Sequence, residues 1–327
     1  MKFTLQAIIL IICWNDINCS LRDDWGQFKF RYNKTYITEK EDDRRFRIFL
    51  ANVREIRNHN RKFRRNLSTF EKGVNIFADL TKEEFNERYS LEETILTTIY
   101  ERDTKKNLLR GLSELDNHDY FDWREKGAVT PAKDQGHCAS CWIFSAVGVL
   151  EAYYFRKTGA LVSLSMQNIV DCLWDSNCSG GDPEFAFEFA KEYGLNSESH
   201  YPYQGKELKC NPVKTKIFNL TFDELKYVQN SGSNMKDALI DYGPLSVCIY
   251  VTSKWRFYKS GVYYDKECSE YVNHCLLVVG YGTENGYDYW IMKNSWGPLW
   301  GENGFIKFSR NEYLNYCGIL ERAAYVI

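Results

Sequence analysis

Charge of one sign is the first thing this 327-residue sequence lacks: 42 Lys and Arg face 44 Asp and Glu, a net charge of −2. With basic residues gathered only over 44–65, there is no electrostatic footprint for nucleic acid. Long apolar runs are missing as well. Phe3 to Trp14, behind Lys2, has the length of a signal-peptide apolar region and is too short to span a bilayer. No later stretch holds 18 uninterrupted apolar residues, so no membrane segment is expected. Residues 1–19 read as a signal peptide, and the remainder as a soluble protein that is secreted or lysosomal. Histidine is scarce: there are five, and only His200 and His274 follow residue 141. The pair Cys138 and Cys141 in "QGHCASCW" therefore lacks a second Cys-x-x-Cys or a histidine pair to complete a zinc site, and no metal or other cofactor is expected. Nor does the preceding "KGAVTPAKDQG" supply the βαβ context of a thioredoxin-like redox pair.

Cysteine itself is plentiful. Of eleven, Cys13 and Cys19 leave with the signal, and the nine that remain cannot all pair within the chain. In an oxidising compartment an odd thiol points to a nucleophile. All nine lie beyond residue 117, whereas residues 20–110 are charged and cysteine-free after the signal. That shift marks two units, joined by a polar linker over 91–116. The first is helical. Glu41, Arg45, Phe49, Asn52, Ile56 and Asn60 fall on one helix face, and Trp25, Phe28, Tyr32 and Tyr36 repeat similarly upstream. A third helix is expected over Asp79 to Tyr89, with Thr81 and Glu84 forming a capping box. The second unit opens with a helix over Cys141 to Lys157, closed by Gly159, and ends in strands such as "PLSVCIYV", "HCLLVVGYG" and "GFIKFSR". Helices first and strands later is an α+β plan of two lobes.

Cys141 stands in the first turn of that helix, where free N–H groups and the dipole favour an anion and lower a thiol pKa. It needs a base. His200 lies in the loop "ESHYPY"; His274 begins a strand and is held rigidly. A base needs a third group to orient it, and Asn294 follows the next strand, with Trp296 placed to cover the bond between them.

"QGHCASCW", "NHCLLVVGYG" and "KNSWGPLWGENGF" together resemble the papain-like cysteine proteases, in motif order and in the roughly 130–150 residue separation of Cys from His and Asn. The helical face from Glu41 to Asn60, with Gly73, Asn75, Phe77 and Asp79 of "GVNIFAD", resembles a cathepsin L-type propeptide. "FDWREKGAVTPAKDQG" resembles a mature N-terminus, with a junction near 113–118. The resemblance implies a two-lobed fold, one lobe helical and one β-barrel-like, behind an inhibitory propeptide over 20–116, with the protease over 117–327. It implies that Cys141 is the nucleophile, His274 the base, Asn294 its orienting partner and Gln135 an oxyanion donor. It places Trp296 over the His–Asn pair, Trp300 on the leaving-group side, and Gly180 and Gly181 where a substrate backbone passes. It further implies the bridges Cys138–Cys178, Cys172–Cys210 and Cys268–Cys317, leaving Cys141 free.

Two departures from the family pattern stand out. Ala139 replaces the usual glycine between the two cysteines, beside the nucleophile, and in the pocket for the second residue upstream of the cut bond Asp182, Pro183 and Arg322 stand where apolar walls are usual, beside Val272, Cys248 and Cys275. Asp182 and Arg322 are expected to pair, because an unpaired buried Arg is costly. Cys248 and Cys275 are expected as two buried free thiols, with a bridge possible only if their strands pair in register. The function implied is a thiol endopeptidase zymogen, monomeric, acting on peptides or proteins and inhibited by its own propeptide and by cystatin-like proteins. The alternative is a catalytically silent homologue that binds peptides or inhibitors. Asn33, Asn66 and Asn219 head glycosylation sequons.

Overall fold

The computed structural model describes residues 21–89, 120–173, 178–211, 218, 220–229, 231–269, 271–310 and 315–327. The signal peptide, the linker, the junction near 113–118 and the Asn219 sequon lie outside the described residues.

The first unit is built on aromatic contacts between α1, described over residues 21–31, and α2 (Glu39–Phe63). Trp25 and Phe28 lie 5.2 and 5.0 Å from the Phe49 ring. Thr38 caps α2 by accepting from the Glu41 N–H, and acidic residues in its first turn and basic ones in its last match the helix dipole. The face predicted for α2 divides its labour. Phe49, Asn52 and Ile56 are buried, while Arg45 reaches both Glu41 and Glu84 at 2.7 Å. Helix α3 (Lys82–Tyr89) starts three residues later than expected, because the capping box fixes Thr81 as its N-cap. Thr81 Oγ1 accepts from Glu84 N at 3.1 Å, and the Glu84 carboxylate accepts from Thr81 N at 2.8 Å.

In the second unit α4 (Cys141–Thr158) is apolar almost all round, so it is buried between other elements and stops at Gly159, whose φ of 76° only glycine adopts freely. It packs on α5 (Met166–Cys172) and α6 (Pro183–Tyr193) to make the helical lobe, and against β4 and β6 of the other. Strands β2 (Phe121–Asp122), β3 (Leu225–Tyr227), β4 (Leu245–Ile249), β5 (Tyr258–Tyr263), β6 (His274–Glu284), β7 (Tyr287–Lys293), β8 (Phe305–Ser309) and β9 (Ala324–Val326), with α7 (Gly232–Tyr242), complete it. The β6–β7 hairpin turns at Asn285 and Gly286, both at positive φ as a two-residue turn demands.

The sheet order is β1-β5-β8-β7-β6-β4-β9-β3, with β2 beside β6. This path is open. The barrel-like lobe expected from the sequence is a sheet that does not close, because its ends, β1 (Phe70–Lys72) and β3, are three-residue strands that pair only inward. β1 comes from the first unit yet forms the edge of the second unit's sheet, with Phe70 opposite Gly261. Gly261 has φ 86°, and a Cβ there would lie 2.7 Å from the Thr69 carbonyl oxygen. One apolar core consequently runs from Trp25 and Phe49 through Phe77 to Trp255, Trp296 and Trp300, while a second lies around α4 to α6.

Gly261→Ala is expected to destabilise the unprocessed chain by about 1–3 kcal/mol, since it adds both a left-handed backbone cost and a clash. Calorimetry should show a Tm lowered by about 2 °C or more. An unchanged Tm would mean that β1 is not docked this closely.

Candidate active site

Cys141, the first residue of α4, is the one free cysteine among the described residues, and it is buried. The helix-start argument predicts a lowered pKa; the structure reverses the balance. Burial pushes the thiol up to about 11, against hydrogen bonds from the N–H groups of Cys275, Trp142 and Cys141 itself that favour the thiolate. In this closed form desolvation outweighs the N–H groups.

The Cys275 N–H brings the start of β6 to the thiol, and with it the adjacent His274. His274 is fully buried, with Nε2 2.8 Å from Asn294 Oδ1. The Ser295 N–H also donates to that Oδ1, at 2.8 Å. Two donors converge on one atom, so it is the amide oxygen, and the histidine must carry its proton on Nε2. Nδ1 is then the basic lone pair, and it has no hydrogen-bond partner among the described residues. Burial drives the imidazole pKa down to about 4, opposed by the Asn294 hydrogen bond. Thiol and imidazole are both neutral here. His200, in contrast, bonds to Ser197 at 2.6 Å in its loop and takes no part.

Trp296 covers the His274 ring at 5.1 Å between centroids. The first unit covers Trp296 in turn: Phe77, Phe85 and Tyr89 lie 6.0, 5.3 and 5.6 Å from it. Trp300 stands behind this layer, fully buried, donating to the Trp255 carbonyl at 3.1 Å. Gln135 is buried beside the thiol loop, its Nε2 donating to the Cys138 carbonyl at 2.9 Å and its Oε1 accepting from Ser295 Oγ at 2.5 Å. Sequence reasoning did not single out Ser295, although it lies inside "KNSWG"; its hydroxyl orients Gln135 while its N–H orients Asn294. Equally unforeseen is Lys293, whose ammonium donates to Thr130 at 2.8 Å near Glu151 and anchors the strand end before Asn294. Burial lowers its pKa to about 8, with Glu151 opposing.

Gly181 lies flat on Trp142, where a Cβ would come within 2.6 Å of the indole, and Gly180 sits at φ 113°. Asp182 and Pro183 begin α6: Asp182 is the N-cap, accepting from Glu184 N at 2.9 Å, and Pro183 occupies the first turn. Arg322 bonds to Asp182 and reaches Glu184 at 3.0 Å and the Tyr227 hydroxyl at 3.2 Å. Burial raises the Asp182 pKa in spite of that guanidinium. Val272 is buried nearby in sequence, just before β6.

The bridges Cys138–Cys178, Cys172–Cys210 and Cys268–Cys317 are all formed. The expectation of two free thiols at Cys248 and Cys275 is overturned, for they form a fourth disulfide. The reason is register: β4 and β6 are antiparallel neighbours, and Cys248 stands directly opposite Cys275.

Residues 118–327 match the papain family cysteine protease profile, and residues 25–85 match the cathepsin propeptide inhibitor domain. A cathepsin L-like peptidase of Aedes aegypti is 37% identical, over 99% of both chains. Digestive cysteine proteinase 2 of Homarus americanus is 37% identical over 98% of this chain and 99% of its own. The structure of digestive procathepsin L 3 from Tenebrio molitor larval midgut superposes with a TM-score of 0.80 at 36% identity, covering 94% of this chain and 98% of that one.

Peptide mapping of the unreduced, denatured protein is expected to recover Cys248 linked to Cys275, with alkylation at Cys141 alone. Alkylation of Cys248 and Cys275 without reduction would refute the register given above.

Proposed function

The chain belongs to the papain family of cysteine proteases and carries a cathepsin propeptide inhibitor domain, and we propose that it is the zymogen of a cathepsin L-type endopeptidase working through Cys141, His274 and Asn294. The observation that carries this reading is the His274–Asn294 hydrogen bond beneath Trp296, beside an unpaired cysteine at a helix start. In the mature enzyme Cys141 gives its proton to His274 Nδ1 and attacks the scissile carbonyl. The imidazolium then protonates the departing amine, and water hydrolyses the thioester. The Gln135 amide and the Cys141 N–H hold the oxyanion, and loss of one such donor costs about 2.7–4 kcal/mol of barrier. Trp296 and Trp300 border the leaving-group side. Residues 1–19 are the signal, 20–116 the propeptide and 117–327 the protease. The product is a secreted or lysosomal monomer, open to cystatin-like inhibitors. A second reading, a silent homologue that only binds peptides, is favoured by Ala139 beside the nucleophile. Titration of acid-treated protein with an irreversible epoxide inhibitor decides between them: labelled Cys141 supports the protease, unlabelled Cys141 the silent homologue.

Activation by acid is part of the proposal. Burial pushes the Glu84 carboxylate up, but the Thr81 N–H and the Arg45 guanidinium outweigh it and hold the pKa below the ordinary 4.5. A depressed carboxylate stabilises the fold above its unfolded pKa, and that contribution disappears as pH falls through the folded one. The buried Asp79 carboxylate accepts from Tyr36 at 2.7 Å and Lys34 at 3.0 Å, which ties the segment after α1 to the segment before α3. The loss at Glu84 therefore falls below pH 4.5, and self-processing is expected to be at least about tenfold faster at about pH 3.5 than at about pH 7, read by electrophoresis. Equal rates would count against acid release.

The specificity pocket is the other fine-grained element. With Gly180, Gly181, Asp182, Pro183, Val272, Arg322 and the Cys248–Cys275 bridge around it, a floor closed by the Asp182–Arg322 pair favours a small or polar residue at the second position upstream of the cut. Profiling with a peptide library tests this, and a strong preference for Leu or Phe would overturn it.

A further inference from the structure

Strand β6, which carries His274, lies between two apolar cores. Leu276 and Val278 face the core that contains Trp296, and Cys275, Leu277 and Val279 face the one around α4 to α6. Its neighbour β4 is buried along its whole length. The apolar pattern of these two strands therefore does little to fix their register, since a slip of one residue exchanges two buried faces and exposes neither. Yet the register decides what meets Cys141. Cys248 and Cys275 stand directly opposite each other with Cα atoms 4.0 Å apart. That is nearer the about 4.5 Å of a non-hydrogen-bonded pair than the about 5.5 Å of a hydrogen-bonded one, so the Cys275 N–H points away from β4. On that far side β7 pairs only as far as Lys293, opposite Leu277. Ser295 would stand opposite Cys275 if the ladder continued, but its carbonyl accepts from the Gln135 N–H at 2.8 Å. The Cys275 N–H is left over, and it is the one that meets the Cys141 thiol.

We infer that the Cys248–Cys275 bridge is a positioning element of the active site, a register lock that keeps the Cys275 N–H on the Cys141 thiol and His274 on the Trp296 side of β6. The inference rests on the reading of Cys141 as the nucleophile. A disulfide needs Cα atoms within about 7 Å and Cβ atoms that point toward each other. A slip of β6 by one residue breaks the second condition. It would turn the N–H at 275 into β4 and carry His274 to the opposite face, away from Asn294. A slip by two residues, about 6.8 Å along the strand, breaks the first, and it would bring a different N–H to the thiol. Asn273 supports the same register, for its side chain accepts from the Val251 N–H at 2.7 Å and donates to the Val251 carbonyl at 3.1 Å. Hydrogen bonds of that kind open and re-form in another register; the covalent bridge does not. The bridge thus does more than line the pocket beside it: it holds the strand on which both the base and one donor to the thiol depend.

The test compares the parent with Cys248→Val/Cys275→Ala, which removes the bridge and keeps the backbone N–H at 275. Val247→Ala, in the same ladder with the bridge intact, is the control for lost packing. Amide hydrogen exchange is read first, in the intact chain, as the ratio of the rate at 275 to that of Leu277, which stays paired with Lys293. The double variant is expected to raise this ratio at least about tenfold, and Val247→Ala to leave it as in the parent. Kinetics follow on acid-treated protein, with peptides that carry Ala or Leu at the second position upstream of the cut. A misplacement of about 1 Å at reacting groups costs on the order of a hundredfold in rate, so a loosened strand is expected to lower kcat at least about fivefold for both peptides alike, with their KM ratio unchanged. Should the double variant not fold, Cys248→Ala alone is read in the same way. An exchange ratio equal to the parent's overturns the lock. So does an unchanged kcat with an altered preference between the peptides, which would make the bridge a pocket wall only. A parent that cleaves neither peptide overturns the protease reading, and the exchange ratio in the intact chain still decides the lock.

Discussion

A single oxygen, Oδ1 of Asn294, accepts from both His274 Nε2 and Ser295 N, and the candidate site depends on it. Because an oxygen must receive, the histidine must donate, and its other nitrogen is left as a base. Ser295 turns the same loop toward Gln135, so one short segment after β7 sets both the ring tautomer and the orientation of the Gln135 amide. Trp296, next in the chain, closes water away from the bond. A hydrogen bond buried this deeply is costly to leave half-made, which is why Lys293, Glu151 and Thr130 tie the strand end down from behind.

The same burial leaves the candidate thiol and imidazole uncharged. Phe77, Phe85 and Tyr89 extend the apolar layer over Trp296, and β1 completes the edge of the sheet. Buried, a thiol near 11 and an imidazole near 4 hold no charge, although the N–H groups at the helix start would welcome a thiolate. The first unit adds to that burial on the His274 side, through the aromatic layer over Trp296. Its own fold combines aromatic packing, which is indifferent to pH, with the Glu84 carboxylate, whose pKa is held below the ordinary value by the Thr81 N–H and Arg45.

What could be read from the sequence was local or carried by the family resemblance. The capping box at Thr81 and Glu84, the glycine after α4, the order of the strands and the three motifs around Cys141, His274 and Asn294 are written in neighbouring residues. The three bridges expected from the resemblance formed as implied. What escaped was set by pairing across long separations. Nothing local tells whether Cys248 and Cys275 stand opposite one another, since one residue of slip would part them; the β4–β6 ladder alone decides it. The direction of the Cys141 shift escaped for a related reason: the helix start is visible in the sequence, and the desolvation that overrides it is not. Arg256 reads as an ordinary basic residue until the fold inserts it among Asn52, Leu80 and Glu55.

The central claim is that the cover provided by the first unit keeps Cys141 and His274 neutral. Its most direct test is the rate of Cys141 alkylation by iodoacetamide as a function of pH, measured on the intact chain and again after residues up to 116 are removed. The account predicts that the intact chain reacts at pH 6 at least about tenfold more slowly than an ordinary free cysteine, accelerating only at strongly alkaline pH, and that the shortened chain reacts rapidly already in the acid range. Superimposable profiles for the two forms would contradict it.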